Sequence, residues 1–204
     1  MPKTIADVFI VESLKFEDEK SDEFEGKILS NILKLNGKKP IYYYIRTKKE
    51  LDEIMYKFEE SNYRYLHISC HGSKNSMETT LDSISFNELS ELIKPCLDYK
   101  RLFLSACNMV NESLAKKMLA QSKCHSIIGP YKPVYFSDAA IFWSSFYHLM
   151  FKDNVDSMKL KEIQKTLKKL TDLFDVPINY YSYSKTTKQG FSYRKINASK
   201  TSIK

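Results

Sequence analysis

Apolar runs of strand length recur along the chain with amphipathic stretches between them, and this alternation predicts an α/β domain. Ala6 to Ser13 reads as a strand, followed by an acidic loop and a periodic segment from Ser21 to Leu35 that stops at Asn36-Gly37. Pro40 to Arg46 is a second strand. Thr47-Lys-Lys-Glu50 then has the form of a capping box, opening a helix with Leu51, Ile54, Met55 and Phe58 on one face. Tyr65 to Gly72 is the third strand, polar Ser73 to Ser83 a loop or small hairpin, and Ser85-Phe-Asn-Glu88 the cap of a short helix reaching about Leu97. Arg101 to Leu104 is the fourth strand, with Ser105 to Asn108 its small polar exit, and Asn111 to Lys123 the next helix. Ser126 to Gly129 is the fifth strand, and Ser137 is expected to cap an aromatic-rich helix running to Phe151. Ser157 to Phe174 predicts a further helix, and Ile178–Ser184 and Phe191–Ile196 two late strands around a Lys/Thr/Gly turn, with a frayed tail from Asn197. Strands alternating with helices imply a largely parallel sheet covered on both faces.

Composition narrows the class without changing this picture. A chain of 204 residues, 43% hydrophobic and 13% aromatic, is long enough for one well-filled core. It has no signal-peptide core and no apolar run long enough to span a bilayer, so a cytoplasmic protein with no membrane partner is expected. Four irregularly spaced cysteines argue for free thiols rather than a disulfide framework. The net charge of +7 is uneven: residues 1–151 carry 20 basic and 20 acidic side chains, and 152–204 carry 12 and 5. The expected organisation is a core domain over 1–151, with a basic helix-and-strand segment over 152–204 completing the same domain. That segment's interleaved tyrosines could serve nucleic acid or an acidic partner, but a basic helix is more often a solvated face, and nucleic acid is not the expected partner.

Two strands run out into chemically capable residues. Tyr65–Gly72 delivers His71, and Arg101–Asn108 delivers Cys107, at the strand ends where open α/β sheets place their sites. A neutral imidazole can take a proton from a thiol, and the resulting thiolate is a strong nucleophile. Against this stand two structural readings: a free cysteine is commonly a buried small hydrophobe, and a histidine near a strand end is commonly a satisfied core residue. Gly72 lets the backbone approach a ligand closely. Strand alternation turns Cys70 away from His71 and into the core. The His and Cys spacings do not suit a metal, and the five glycines form no phosphate loop, so neither a metal nor a cofactor is expected.

The segment His67-Ile-Ser-Cys-His71-Gly72 resembles the His-x-x-x-His-Gly signature of CHAT-type proteases in the caspase-like clan. Leu104-Ser-Ala-Cys107-Asn108 is similar to their Ser-Ala-Cys nucleophile motif. A third block, Ser126-Ile-Ile-Gly129 through Asp138 to Phe146-Tyr147, resembles their later strand, acidic position and Phe-Tyr helix, with Tyr131-Lys-Pro-Val134 where Trp-Pro-Val is usual. The blocks span roughly residues 63–150, and the 36-residue step from His71 to Cys107 is shorter than the approximately 50 of caspases. The resemblance implies a three-layer caspase-like fold and a cysteine endopeptidase that cuts a partner protein in a prokaryotic defence or cell-death setting, with a possible activating partner. It further implies His71 as base, Cys107 as nucleophile and the amides of Gly72 and Cys107 as oxyanion donors. It places Asp138 either at the floor of a pocket for basic side chains or simply at the start of a helix. The competing class is a catalytically inactive interaction module that binds an acidic partner or nucleic acid through its basic C-terminal region.

Overall fold

The computed structural model describes residues 4–152 and 156–199. Its centre is a seven-stranded sheet in the order β10-β9-β8-β7-β3-β1-β2. The strands are β1 (Ile5–Glu12), β2 (Ile41–Tyr44), β3 (Tyr63–Ser69), β7 (Arg101–Ser105), β8 (Ser126–Pro130), β9 (Ile178–Tyr183) and β10 (Phe191–Ile196). Neighbouring strands from β2 to β8 run parallel, while β9 and β10 are antiparallel.

Because side chains alternate across a strand, each central strand feeds two cores. Phe9, Val11, Leu66, Ile68, Leu102 and Leu104 pack against the helices α3 (Lys48–Ser61), α4 (Phe86–Ile93) and α5 (Glu112–Leu119). On the other face, Val8, Ile10, Tyr65, Phe103 and Ile128 pack against α2 (Glu25–Leu35), α6 (Phe136–Lys152) and α7 (Leu160–Phe174). Thus the 152–204 segment contributes one covering helix and two strands of the common sheet. The final residues of the predicted frayed tail, 200–204, lie outside the described residues.

Both capping boxes form as their spacing predicts: Thr47 Oγ1 accepts from Glu50 N–H and Ser85 Oγ from Glu88 N–H. Other boundaries differ from the sequence reading. The acidic stretch is not merely a loop but contains a short helix, α1 (Phe16–Lys20), and the following helix begins at Glu25 rather than Ser21. No local side chain caps α2. The buried Glu12, at the end of β1, receives Gly26 N–H at 2.6 Å and Lys27 N–H at 3.3 Å and so satisfies that end from a distance in sequence. Ser137 lies inside the first turn of α6, not at its cap: Tyr135 O already receives the first helical hydrogen bond, from Ala139 N–H. Of the two readings of 73–83 the hairpin holds, enlarged to a small antiparallel sheet of β4 (His71–Gly72), β5 (Ser76–Glu78) and β6 (Ser83–Ser85). The helix expected over Asn111–Lys123 ends at Leu119.

Glu12 also shapes the response to pH. Burial raises its carboxyl from a usual 4.5 to about 7, against the lowering effect of the Gly26 amide and the Tyr42 hydroxyl. A carboxyl whose folded value is raised contributes stability below its unfolded value, and that contribution is lost as pH rises through the folded value. Wild type should therefore lose stability relative to Glu12→Gln as pH climbs from about 4.5 to about 7, by up to about 3 kcal/mol. Chemical denaturation of both proteins across that window tests this, and a pH-independent difference would contradict it.

Candidate active site

The centre of the sheet places β3 beside β7 in parallel register, with Ser69 opposite Ser105. After Ser69 the chain takes one further step, Cys70, whose N–H donates to Ser105 O at 3.1 Å, and His71 opens β4. Period two keeps His67, Ser69 and His71 on one face of β3 and its extension, and Phe103, Ser105 and Cys107 on the same face of β7 and its exit. The two chemically capable residues thus end adjacent strands on a common side, and both line one small cavity of about 40 Å³ with Val134, Phe136 and Glu25.

His71 is half-buried, with its ring edge-on to Phe136 at 5.3 Å between centroids. Its Nε2 lies 2.7 Å from Asp18 Oδ2 on α1. Cys107 is also half-buried and meets the backbone of Val134 twice. Its Sγ–H donates to Val134 O at 3.8 Å, and Val134 N–H points at Sγ from 3.5 Å. Cys107 is followed by a turn in which Asn108 takes the left-handed conformation at φ 61°, before Asn111 caps α5 by accepting from Leu114 N–H. The thiol therefore sits on a turn separated from the helix rather than at the helix terminus itself. Gly72 is required by close approach: a methyl group there would lie 2.3 Å from Met109 Cγ and 3.3 Å from the Cys107 carbonyl oxygen.

Beneath this pair is a buried polar cluster. Glu25, 2% exposed, accepts Ser69 Oγ–H at 3.0 Å and Ser105 Oγ–H at 2.7 Å on the same carboxylate oxygen. Its other oxygen lies 3.5 Å from Nε2 of the fully buried His67, whose Nδ1 is 3.1 Å from the Tyr147 hydroxyl. Glu25 also lines a second, larger cleft of about 530 Å³, together with Asp18 and Glu23, and Val134 and Phe136 are walls of both cavities. Asp138 lies in the first turn of α6 and lines neither cavity. Asp18 and Glu25 were not singled out by the sequence reading. For Glu25 a signal existed: with Leu29 and Leu33 it shares one stripe at intervals of four, which puts a carboxylate on the buried face of α2.

Cys107 differs from the other three cysteines, all buried. Burial drives the Cys70 thiol far above its usual range, pushes Cys124 up to about 12 and raises Cys96. Iodoacetamide at neutral pH is expected to modify Cys107 first, as read by peptide mass spectrometry over time. A first adduct on Cys70 or Cys124 would contradict this. Among the described residues no three His, Cys, Asp or Glu side chains gather where they could share a metal ion, and no helix is long and apolar enough to cross a membrane.

No protein-family model matches the sequence, and no curated protein sequence matches it. Solved structures do share its architecture. A secreted C11 cysteine protease from Bacteroides thetaiotaomicron superposes with a TM-score of 0.53 at 10% identity, over 88% of this chain and 66% of its own. Caspase-1 from Spodoptera frugiperda superposes with a TM-score of 0.55 at 13% identity, over 95% of this chain and 85% of its own. A pro-sf-caspase-1 structure gives 0.55 at 12% identity, over 96% and 86%. The chain has a caspase-like fold. Within that fold the mainly parallel sheet with helices on both faces agrees with the expected three-layer arrangement. The chain spans just under two thirds of the C11 protease's length.

Proposed function

We propose that this caspase-like chain is a cysteine endopeptidase of the CHAT type acting on a protein substrate. The observation that carries the reading is the shared cavity: Cys107, alone among the cysteines in being incompletely buried, lines it together with His71 at the ends of adjacent parallel strands. In this reading His71 takes the thiol proton and Cys107 Sγ attacks the peptide carbonyl carbon. The amides of Gly72 and Cys107 hold the tetrahedral oxyanion. His71 then gives its proton to the leaving amine, leaving a thioester that water hydrolyses. The neighbouring cleft, with Glu23 and Glu25 in its walls, suits a Lys or Arg side chain before the cut bond, and it supplies the acidic character first sought in Asp138. Residues 152–204 would then be part of the catalytic unit rather than an appendage. A prokaryotic defence or cell-death setting belongs to this proposal through the motif resemblance alone.

A second reading, a non-catalytic module, is favoured by the Val134 backbone lying against both sides of the thiol's bonding capacity and by the small size of the cavity there. Under the first reading the 131–135 loop must be displaced by substrate or by an activating partner. Cleavage profiling on a peptide library with wild type and Cys107→Ala separates the two. Cuts after basic residues by wild type alone support the peptidase, whereas identical profiles from both proteins would remove Cys107 from the chemistry.

A further inference from the structure

His71 has a partner that arrives from far outside its own strand. Asp18 Oδ2 is 2.7 Å from His71 Nε2, and the same oxygen accepts Lys15 N–H at 3.2 Å at the start of α1. The carboxylate is therefore held from two sides and is not a freely rotating surface group. A carboxylate only accepts, so Nε2 supplies the hydrogen in this pair, and in a neutral ring Nδ1 is the nitrogen left to accept. Phe136 packs against the same ring, so the imidazole is fixed by a hydrogen bond at one atom and by an aromatic edge contact.

The element that delivers Asp18 is unusual in having no buried residue of its own. What holds α1 in place is polar. Glu19, the next residue, receives Arg46 Nε–H at 3.0 Å and Arg46 Nη2–H at 2.7 Å in a two-pronged arrangement, and it also accepts the Tyr44 hydroxyl. Tyr44 ends β2 and Arg46 follows it, so the clasp ties α1 to the edge of the sheet while Asp18 reaches its centre.

Resting on the peptidase reading above, we propose that Asp18 is a positioning residue for His71, and that the Glu19–Arg46–Tyr44 clasp sets how well it does so. The Asp18 carboxylate selects the tautomer and ring orientation in which Nδ1 can receive the Cys107 proton, and it stabilises the imidazolium that forms. Because α1 is anchored by side chains at the sheet edge rather than by apolar burial, a change at Arg46 reaches the base through α1 without touching substrate, Cys107 or His71.

The test combines variants with two readouts. Asp18→Ala is expected to lower kcat roughly 10- to 100-fold, a part of the 10²–10⁴-fold that general acid–base help contributes, with KM within about twofold of wild type. Asp18→Asn, which retains an oxygen that can accept from Nε2 but not the charge, should fall between. Glu19→Gln should lower kcat several-fold in wild type and add nothing in an Asp18→Ala background, a coupling that a double-mutant cycle reads directly. Nitrogen-15 spectra of the histidine rings give the second readout and need no substrate. The His71 signals should report hydrogen on Nε2 in wild type and a mixture of tautomers in Asp18→Ala. Unchanged kcat and unchanged ring signals in Asp18→Ala would overturn the proposal, as would a rise in KM alone, which would make Asp18 a substrate contact in the acidic cleft. Should Asp18→Ala fail to fold, Asp18→Asn and Glu19→Gln carry the same two readouts. Retained cleavage by Cys107→Ala would instead defeat the peptidase reading, and the ring signals would still decide whether Asp18 orients His71.

Discussion

Replacing His71 with alanine is expected to reduce kcat by roughly 10²–10⁴-fold while leaving the protein folded, and replacing Cys107 should leave no turnover at all. The first expectation follows from exposure and contacts: the His71 side chain is 29% exposed, contacts Asp18 and Phe136, and stands at the mouth of the thiol cavity. On the peptidase reading, truncating it removes a proton carrier and little packing. His67, four residues earlier, supplies the contrast. It is fully buried, edge-on to Trp143 at 5.4 Å, and engaged with Tyr147 and Glu25. His67→Ala should therefore lower thermal stability before it says anything about catalysis, because it opens a cavity beside a buried hydroxyl and a buried carboxylate. Steady-state kinetics and melting curves on both variants distinguish the roles. A fully active, well-folded His71→Ala protein would falsify the assignment of the base.

Glu25→Ala should be among the most destabilising single changes in the chain. The carboxylate is the common acceptor for Ser69 and Ser105, which lie two residues before His71 and Cys107 on strands in direct register. Removing it leaves two buried hydroxyls without that acceptor and takes from His67 the carboxylate 3.5 Å from its Nε2, a loss of at least about 2 kcal/mol. For a protein of this size that corresponds to a fall in melting temperature of about 4–8 °C. Activity should fall by more than stability explains, because Glu25 ties Ser69 and Ser105, at the ends of β3 and β7, to one carboxylate oxygen. Glu25→Gln preserves shape and one acceptor oxygen and should be milder. A melting temperature for Glu25→Ala within a degree of wild type would show that the serines have other partners.

The strands and most helices were legible because their signals are local. Leu51, Ile54, Met55 and Phe58 repeat at helical spacing behind a Thr47–Glu50 capping box, and all four are buried in the structure. Strand alternation likewise placed Cys70 in the core, apart from His71. Where the reading missed, the deciding partner was distant in sequence. Nothing near Phe24 announces where α2 begins, because the group that satisfies its first amides is Glu12 on β1. Ser137 has the chemistry of a cap, yet the helix had already started at Phe136, whose ring is packed on His71. The acidic run Glu17-Asp18-Glu19 looked like a solvated loop. Only the fold brings Asp18 to His71, 53 residues on, and Glu19 to Arg46, 27 residues on. The polar half of the site is thus assembled from residues whose roles depend on long-range pairing, whereas the motif residues His71 and Cys107 announce themselves at strand ends.

The order of strands in the sheet bears on how the chain can be made. From β1 through β3, β7, β8 and β9 to β10, position across the sheet follows position along the chain, with β2 added on the outer side of β1. During synthesis from the N-terminus, each new strand meets an open edge of what has already emerged, and none has to be threaded between two that are paired. The strand ahead of His71 can thus dock on β1 well before the strand ahead of Cys107 exists, so His71 and Cys107 first come to neighbouring strand ends when β7 joins β3. Until β8 and the antiparallel pair follow, the β7 edge is the growing front of the sheet, and unpaired front strands are where partly made chains associate with one another. Nascent chains stalled between β7 and β8 should therefore be the species most dependent on chaperones.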